Sequence, residues 1–326
     1  MENKQDLEHL AREVYFNRNF SQNGVSGSEA MRKLVLEKLG GEYSYYAWKE
    51  HKDEVFQLIS VAIDAVLPTL ITNQFDTLAD VKNLALGDKN VFEVEDSRMI
   101  TVGLVSAGNT DIRRQTITGR KFSVETDWYG AAVYTEFQQF VTGNIDWTKL
   151  VNKVADAFVN KMGSQIYDSI VTSYSLLTAT RKQEGEFDTE KLAQLAQHVG
   201  IAAGGKEVAV YGTRAALAKV SKKADLSDAM RDEKNSVGFL GRIDGVPLIC
   251  LPQAYKPNTN EFAMDDNTLL VLPQGEKIIA IAMEGDAITD EPDNMLRNDM
   301  QMSFETLKKY GLSVLKMAVY GMYKMA

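Results

Sequence analysis

The chain has 326 residues and a mass of 36.3 kDa, which is enough for two lobes or one elaborated domain. Hydrophobic residues make up 44% and charged residues 25%, as in ordinary folded proteins. The net charge of −9 disfavours a surface that wraps nucleic acid, because neutralising phosphates requires clustered Lys and Arg. The charge is compatible with a shell that encloses nucleic acid without binding it tightly.

The sequence also disfavours a membrane protein and a secreted protein. No apolar run reaches the roughly 18 residues that a membrane-spanning helix requires. Charged side chains are spread through residues 1–20, which is incompatible with the apolar centre of a secretory signal. The single cysteine, Cys250, cannot form an intrachain disulfide and fits a reducing cytosol.

Residues 1–87 are predicted to form three helices. Apolar residues recur at three- to four-residue steps between 7 and 15, which is typical of a helix. A second helix opens with Ser26 and Glu29, spaced as a capping box, and ends at a Gly-Gly pair. A third helix is expected to end before Pro68. The region has no obvious core of its own, so we expect an arm that packs on the main body or on a neighbour.

An extended ribbon follows. Residues 91–94 and 100–105 are predicted strands, residues 109–115 form a polar tip, and the chain returns through residues 122–124. A two-stranded arm has too little apolar surface to be stable alone. We therefore expect this hairpin to lie on another copy of the chain.

One very long helix is predicted from Trp147, with no proline in it. About 30 residues would span roughly 45 Å. Its apolar stripe advances mostly in four-residue steps, which disfavours a coiled coil and favours a spine that crosses a sheet. The stripe consists of Trp147, Leu150, Val151, Val154, Phe158, Met162, Ile166 and Ile170.

From residue 181 the pattern alternates between helices and strands, which indicates a compact α/β lobe. Asp188 and Thr213 are predicted helix caps. Asp244-Gly245 is a strong signal for a two-residue hairpin turn. Residues 207–211, 268–272 and 277–283 are further predicted strands.

The remainder of the chain is acidic and then strand-like. Residues 284–299 hold six carboxylates against Arg297 alone, which suggests a solvated acidic face. Two strands are predicted at 300–307 and 311–324, around Lys308-Lys309-Tyr310. The last strand is apolar on both faces, as a covered strand would be. If it lies beneath the long helix, both ends of the chain build one platform and the α/β lobe is an insertion.

This order of elements resembles the major capsid protein of tailed bacteriophages, whose fold is shared with encapsulin shells and herpesvirus capsid floors. The most specific pieces are Asp146-Trp147, Tyr211-Gly212-Thr213-Arg214 and the segment 241–247. The resemblance implies an α+β fold with four parts. These are an N-terminal helical arm at 1–87, an extended loop at 91–142, a peripheral domain with the spine helix at 143–180 and 284–326, and an inserted axial domain at 181–283.

The same resemblance implies a function. We expect a protein that is not an enzyme, needs no cofactor, and self-assembles into an icosahedral shell of hexamers and pentamers around double-stranded DNA. Its location would be the virion capsid, assembled in the host cytoplasm, with a separate scaffold protein and a portal as partners and no membrane. Two alternatives remain: an encapsulin-like compartment, and an α/β enzyme or ligand-binding protein that uses the lobe at 181–283.

Catalytic and metal-binding patterns are weak. Residues 200–206 match most of a phosphate loop, but Glu207 replaces the Ser or Thr that holds magnesium, and a helix precedes the glycines where a strand is needed. We expect a helix stop and a turn there. The three histidines stand alone in the sequence, so no metal site is predicted. Cys250 lies in an apolar strand and is predicted to be buried.

One charge contrast predicts a contact between subunits. The loop carries four basic residues and no acidic residue between Ile112 and Lys121. The segment in which the chain returns, residues 284–299, is acidic instead. We predict that the basic loop of one subunit meets the acidic segment of the next, which sets register more than affinity. The candidate contact residues are Arg113, Arg114, Arg120, Lys121, Asp290, Glu291 and Asp293.

Overall fold

A computed structural model describes residues 4–16, 27–94, 100, 102, 114, 119–136, 139, 142, 146–223, 228–253, 255–256, 259–291, 301–315 and 319–325. The helices are α1 (Lys4–Tyr15), α2 (Gly27–Lys38), α3 (Tyr45–Phe75), α4 (Trp147–Ser173), α5 (Thr189–Ala202), α6 (Arg214–Lys223) and α7 (Asp228–Val237). The strands are β1 (Ala79–Leu84), β2 (Val91–Val94), β3 (Arg120–Ser123), β4 (Asp127–Glu136), β5 (Lys182–Gly185), β6 (Val208–Gly212), β7 (Arg242–Ile243), β8 (Val246–Cys250), β9 (Thr268–Pro273), β10 (Ile279–Asp290), β11 (Gln301–Val314) and β12 (Gly321–Met325).

Helix α3 is longer than the sequence predicts. It begins after Ser44, whose hydroxyl accepts a hydrogen bond from the Ala47 amide at 3.2 Å, and it continues through Pro68 to Phe75. The expectation of an end before Pro68 is wrong. Tertiary contacts on both sides of the proline stabilise the helix where its backbone hydrogen bond is missing. Residues before and after the proline are buried in one core, and the Ala65 carbonyl accepts additional bonds from Arg12 Nε and the Thr69 hydroxyl.

The predicted spine helix is confirmed as α4. It is 27 residues long and starts at an Asp146 cap, whose carboxylate accepts from the Lys149 amide at 3.1 Å. Every residue of the predicted apolar stripe is buried. The helix packs against α3 and against the strands β4 and β11 of one sheet.

That sheet has four strands in the order β1-β10-β11-β4, with β1 parallel to β10 and the other neighbours antiparallel. The prediction of two strands around Lys308–Tyr310 is wrong. Strand β11 runs unbroken through these residues because it pairs on both sides, and because Lys308 and Tyr310 are buried toward the helices. Strand β1 follows α3 directly and was not predicted.

The second sheet has six strands in the order β5-β12-β9-β6-β8-β7. The predicted caps of α5 and α6 are confirmed, since Asp188 accepts from the Glu190 amide and Thr213 from the Ala216 amide. The hairpin turn is confirmed as well: Asp244 and Gly245 have φ angles of 48° and 82°, which a type I′ turn requires. The single strand predicted at 311–324 is wrong: residues 311–314 end β11 in the four-stranded sheet, whereas β12 is buried on both faces and pairs in the six-stranded sheet.

One apolar core joins the two sheets. It contains the inward faces of α3, α4, β10 and β11, and it continues through Tyr211, Leu270 and Met322 onto one face of the six-stranded sheet. The other face of that sheet packs against α5 and α6 in a second cluster. Within the described residues, α3 has the length and apolar composition of a membrane span, but 61% of its most apolar window is buried in the protein, as expected of a core helix.

Candidate assembly surface

The predicted extended hairpin is rooted rigidly in the subunit. Strands β2 and β3 pair antiparallel, as expected for residues 91–94 and 122–123. Asn90 is buried just before β2, and its side-chain amide makes two hydrogen bonds with the backbone of Val124, at 2.6 and 3.1 Å. This clamp closes the hairpin at its base. The predicted tip at 109–115 lies outside the described residues, apart from Arg114.

Apolar contacts fix the orientation of the hairpin against the four-stranded sheet. Phe92 is buried and stacks on Phe122, with 5.9 Å between the ring centroids. With Val124 they pack on a patch of small and aliphatic side chains on the outer face of β10, Ala280 and Ala282, and on Leu315. Lys82 of β1 lies over the Phe92 ring at 4.6 Å and donates to the Val91 carbonyl at 2.7 Å. The hairpin therefore has a defined direction from its own subunit.

Glu284 joins the hairpin root to the sheet. Its carboxylate is buried and accepts from the Gly87 amide at 2.8 Å, the Thr126 hydroxyl at 2.6 Å and the Lys309 ammonium at 2.8 Å. The bonds from Lys309, Thr126 and Gly87 lower the pKa of Glu284 to about 2. The expectation that residues 284–299 begin a solvated acidic face is wrong at Glu284. Three donors, one of them charged, compensate for the burial of this carboxylate.

The opposite side of the same sheet carries a second buried ion pair. Lys308 Nζ lies 2.6 Å from Asp64 Oδ1 of α3 and 2.7 Å from the carbonyl of Gly285. The other carboxylate oxygen of Asp64 accepts from the Ala287 amide at 2.7 Å. Gly285 has a φ of 71°, and the register of β10 shifts between Glu284 and Ile288. Because successive side chains of a strand point to opposite faces, the two lysines of β11 have partners on opposite faces, and Lys308 binds beside the bulge of β10.

The outer face of the four-stranded sheet is partly apolar and open to solvent. Four large side chains on it are 40 to 68% exposed: Trp128, Tyr134, Ile288 and Leu307. Leu307 pairs across from Gly130, where a side chain would be only 2.7 Å from Leu307 Cδ2. Exposed carboxylates lie beside these groups, at Glu136, Asp290 and Glu305. The uncharged, mostly apolar run of residues 128–134, bounded by Asp127 and Glu136, is the sequence signal that could have identified this strand.

The predicted contact residues lie apart within one subunit. Arg114, Arg120 and Lys121 are exposed on the hairpin, and Lys121 already pairs with Glu93 of β2 at 2.5 Å. Asp290 is exposed at the end of β10. Arg113 and Asp293 lie outside the described residues.

Both described acids of this prediction have a partner in their own subunit: Glu291 lies 3.6 Å from Lys52 of α3, and Asp290 accepts from the Glu291 amide at 2.8 Å. The contact between subunits stays a prediction, and Asp290 is better placed for it than Glu291. Glu305, which the sequence-based hypothesis did not include, faces the same side of the sheet as Asp290 and pairs with it in register.

Catalytic chemistry finds little support in the described part of the chain. No group of three or more His, Cys, Asp or Glu side chains there could hold a metal ion. Cys250 is exposed, so the expectation of a buried cysteine is wrong; partial desolvation nevertheless raises the pKa of its thiol. Residues 200–206 end α5 through Gly204 and Gly205, both with positive φ, so the predicted helix stop is confirmed.

The sequence matches the family model described as "SPbeta prophage-derived putative capsid protein YonB" over residues 6–317. No curated protein matches it. The fold is similar to the mature capsid of bacteriophage PhiM1, with a TM-score of 0.53 and 12% identity over 77% of this chain and 86% of that chain.

Two further solved structures are similar. The capsid of cyanophage P-SCSP1u has a TM-score of 0.52 and 12% identity over 77% of this chain and 88% of that chain. The capsid of an empty GTA particle has a TM-score of 0.52 and 15% identity over 78% of this chain and 90% of that chain. The predicted α+β capsid fold is confirmed.

Proposed function

Because the chain belongs to the YonB family of phage capsid proteins, we propose that it is the major capsid protein of a shell that encloses a double-stranded DNA phage genome. The shell-forming role and self-association follow from the family, and the fold is that of phage capsids. The proposal adds hexamers and pentamers as building blocks, a scaffold protein and a portal as separate partners, and assembly in the host cytoplasm. It also assigns the protein a purely structural role.

One observation carries the proposal: each subunit presents a rigidly rooted hairpin and, elsewhere, an open apolar face that its own hairpin does not cover. The hairpin base is held by Asn90 and Glu284, whereas Trp128, Tyr134, Ile288 and Leu307 remain exposed. Two such different patches fit heterologous contacts, in which one surface of a subunit meets another surface of the next. Heterologous contacts close into rings when the rotation between subunits is right.

The charges of the two patches are complementary. The described part of the hairpin exposes Arg114 and Arg120, and the open face is bordered by Asp290 and Glu305. Each exposed pair contributes about 0–1 kcal/mol. Because the same ion pairs recur at every contact between subunits, their contributions add up over the shell. The pairing also selects the register in which the apolar groups of the two subunits meet.

The DNA would be enclosed without sequence-specific contacts. The net charge of −9 argues against a surface that neutralises many phosphates. The shell would therefore act as a container whose interior tolerates packaged DNA. Nuclease-protected DNA inside purified particles supports this assignment, whereas particles that hold a protein cargo favour the encapsulin-like alternative.

A charge-reversal experiment tests the arm contact. The double variant Arg114→Glu, Arg120→Glu is expected to stay folded and to lose shell assembly at low salt, measured by sedimentation and negative-stain imaging. The control Lys191→Glu, Lys222→Glu makes the same change in net charge on exposed sites of α5 and α6, and should assemble normally. Adding Asp290→Lys and Glu305→Lys to the arm variant should restore particles.

Two results would contradict the arm contact: normal shells from the arm variant at low salt, or no rescue by the reversed acids. Neither result would remove the shell-forming role. A folded wild-type protein that stays monomeric, also in the presence of a scaffold, would contradict the shell itself.

A further inference from the structure

A second, shorter hairpin lies between β8 and β9, at residues 253–264, and we call it the lobe hairpin. Tyr255 and Phe262 form an antiparallel bridge in it, and their rings stack with 5.4 Å between the centroids. The two residues are 56% and 51% exposed. Two large aromatic groups therefore lie side by side at the surface of the subunit, where they are covered by water alone.

Hydrogen bonds hold the base of the lobe hairpin in place. The Gln253 side chain accepts from the Met264 amide at 3.1 Å and donates to the Met264 carbonyl at 2.8 Å. Directly before the hairpin, the Pro252 carbonyl accepts from the hydroxyl of Tyr167 in α4. The aromatic pair is thus presented in a fixed orientation, and little conformational freedom is lost when it binds a partner.

A separate cavity lies at the C-terminal end of α4, beside the end of β11. Its volume of about 700 Å³ is typical of a binding pocket. Much of its wall is apolar and consists of Leu176, Leu177, Leu312, Val314 and Tyr320. Leu176 is 74% exposed. The described residues that line this cavity include none from the lobe hairpin, so the two features are distinct surfaces of one subunit.

Each of the two surfaces carries one charge of each sign. Lys256 and Glu261 lie on the lobe hairpin, with 3.5 Å between their charged groups. Asp168 and Arg181 line the cavity, and neither side chain has an ion-pair or hydrogen-bond partner in the part of the chain that the structure describes. Arg181 is half-buried, and a cation beside an apolar wall is stabilised when an acceptor arrives.

We propose that the lobe hairpin of one copy of this chain inserts Tyr255 and Phe262 into the cavity of the next copy. Glu261 then faces Arg181, and Lys256 faces Asp168. The inference rests on the proposed shell-forming role, and it adds a contact that uses neither the extended hairpin nor the open face of the four-stranded sheet. Aromatic anchors in a preformed pocket with a charged rim are the usual form of an interface hot spot.

A second copy fits these surfaces better than a small ligand does. Every subunit carries one lobe hairpin and one cavity, so a contact between copies covers both apolar surfaces at once, whereas a small ligand in the cavity leaves the two rings exposed. An anionic ligand would also meet Asp168 beside Arg181. The contact joins unlike surfaces and is therefore heterologous, as a closed ring of subunits requires.

Cysteine cross-linking of assembled particles tests the contact. Cys250→Ser removes the single native thiol, and Glu261→Cys with Arg181→Cys then places one new thiol on each surface. Linked cysteines have their Cα atoms about 4.4–6.8 Å apart, so a disulfide requires direct contact. On oxidation we expect a ladder of covalently joined subunits on a non-reducing gel, because each subunit is linked to the next on both sides.

Two controls accompany the ladder. Particles assembled from an equal mixture of the two single-cysteine variants should give dimers and nothing longer, which shows that the bond joins different copies. Pairing Glu261→Cys with Lys191→Cys, an exposed site of α5 outside the cavity, should give no ladder.

The aromatic anchor has its own test. Phe262→Ala should raise the protein concentration needed for assembly at least about tenfold, as truncation of a hot-spot residue does. Ile201→Ala removes an equally exposed apolar side chain from α5 and should assemble as the wild type does. Both variants should stay folded, because neither side chain is in the core.

The inference is overturned if particles of the double-cysteine variant yield no more linked product than the Lys191 control, or if Phe262→Ala assembles as readily as Ile201→Ala. Either result leaves the shell-forming role intact, because particles are still present. A wild type that forms no particles under any condition would reject the proposed function and this contact together.

Discussion

Lys308 and Lys309 are neighbours in β11, and their side chains leave the strand on opposite faces. Lys308 bonds to Asp64 and to the Gly285 carbonyl, which ties the sheet to α3. Lys309 bonds to Glu284, which also accepts from Gly87 and Thr126 at the hairpin root. Alternation along one strand thus connects the helical core to the arm through two adjacent residues.

Glu284→Gln is expected to destabilise the protein by about 1–3 kcal/mol, because it removes a charge-assisted bond and leaves the Lys309 ammonium without its partner. The measurement is the free energy of unfolding in denaturant. Glu305→Gln, on the exposed face of the neighbouring strand, is the matched control and should change stability little. If the two variants were equally stable, the buried carboxylate of Glu284 would not contribute to the stability of the fold.

The pH dependence of the same site has a definite sign. The pKa of Glu284 lies below its ordinary value of 4.5, at about 2. The stabilisation by its charge is fully present above pH 4.5 and is lost as the pH falls toward 2. The wild type and Glu305→Gln should lose this contribution in that window, whereas Glu284→Gln should not. A parallel pH profile of all three proteins would contradict the assignment.

At the scale of elements, the hairpin is an extension of the sheet surface and not an independent unit. Its described strands have four residues each, too few to be stable alone. The apolar base built from Phe92 and Phe122, and the clamp at Asn90, supply the stability instead. The direction in which the arm leaves the subunit depends on these contacts.

Asn90→Ala should loosen the hairpin without unfolding the protein. The variant loses two hydrogen bonds to the Val124 backbone, each with a net value of about 0.5–1.5 kcal/mol. We expect faster amide exchange in β2 and β3 and reduced assembly yield, with the rest of the protein unchanged. Asn83→Ala, an exposed site in β1, is the control. Unchanged exchange in β2 and β3 would show that the apolar base suffices.

At the scale of the whole molecule, the two sheets are connected by more than the core between them. Strand β12, near the end of the chain, lies between β5 and β9 in the six-stranded sheet. Its neighbours β5 and β9 belong to the lobe predicted at 181–283. Between β9 and β12 the chain forms β10 and β11 of the four-stranded sheet. The division into an arm, a loop, a peripheral domain and an axial domain stays a prediction.

The interior position of β12 makes that division testable. A fragment of residues 181–283 lacks β12 and is expected to show no cooperative unfolding transition. Joining Gly275 directly to Val319 would supply β12 as a hairpin partner of β9, because Gly321 pairs with Val271. This fusion should unfold cooperatively, and Tyr323→Asp, at a fully buried site, should abolish the transition. Cooperative unfolding of the first fragment would make the lobe an autonomous domain.

The sequence by itself determined the features that depend on neighbouring residues. Asp188 and Thr213 cap their helices as predicted, and Asp146 caps α4 in the same way, because a cap needs only a side-chain oxygen beside free amides. The turn at Asp244-Gly245 and the buried stripe of α4 have equally local causes. The order of elements then sufficed to suggest the capsid fold.

Only the tertiary structure decided the features that depend on distant partners. Helix α3 continues through Pro68 because packing outweighs a local break, and β11 continues through Lys308 because Asp64, 244 residues away, compensates its charge. Strand β12 joins the second sheet, and Glu284 is buried where an acidic run indicated solvent. Pairing and burial between segments far apart in the chain leave no short-range pattern, so composition and periodicity could not reveal them.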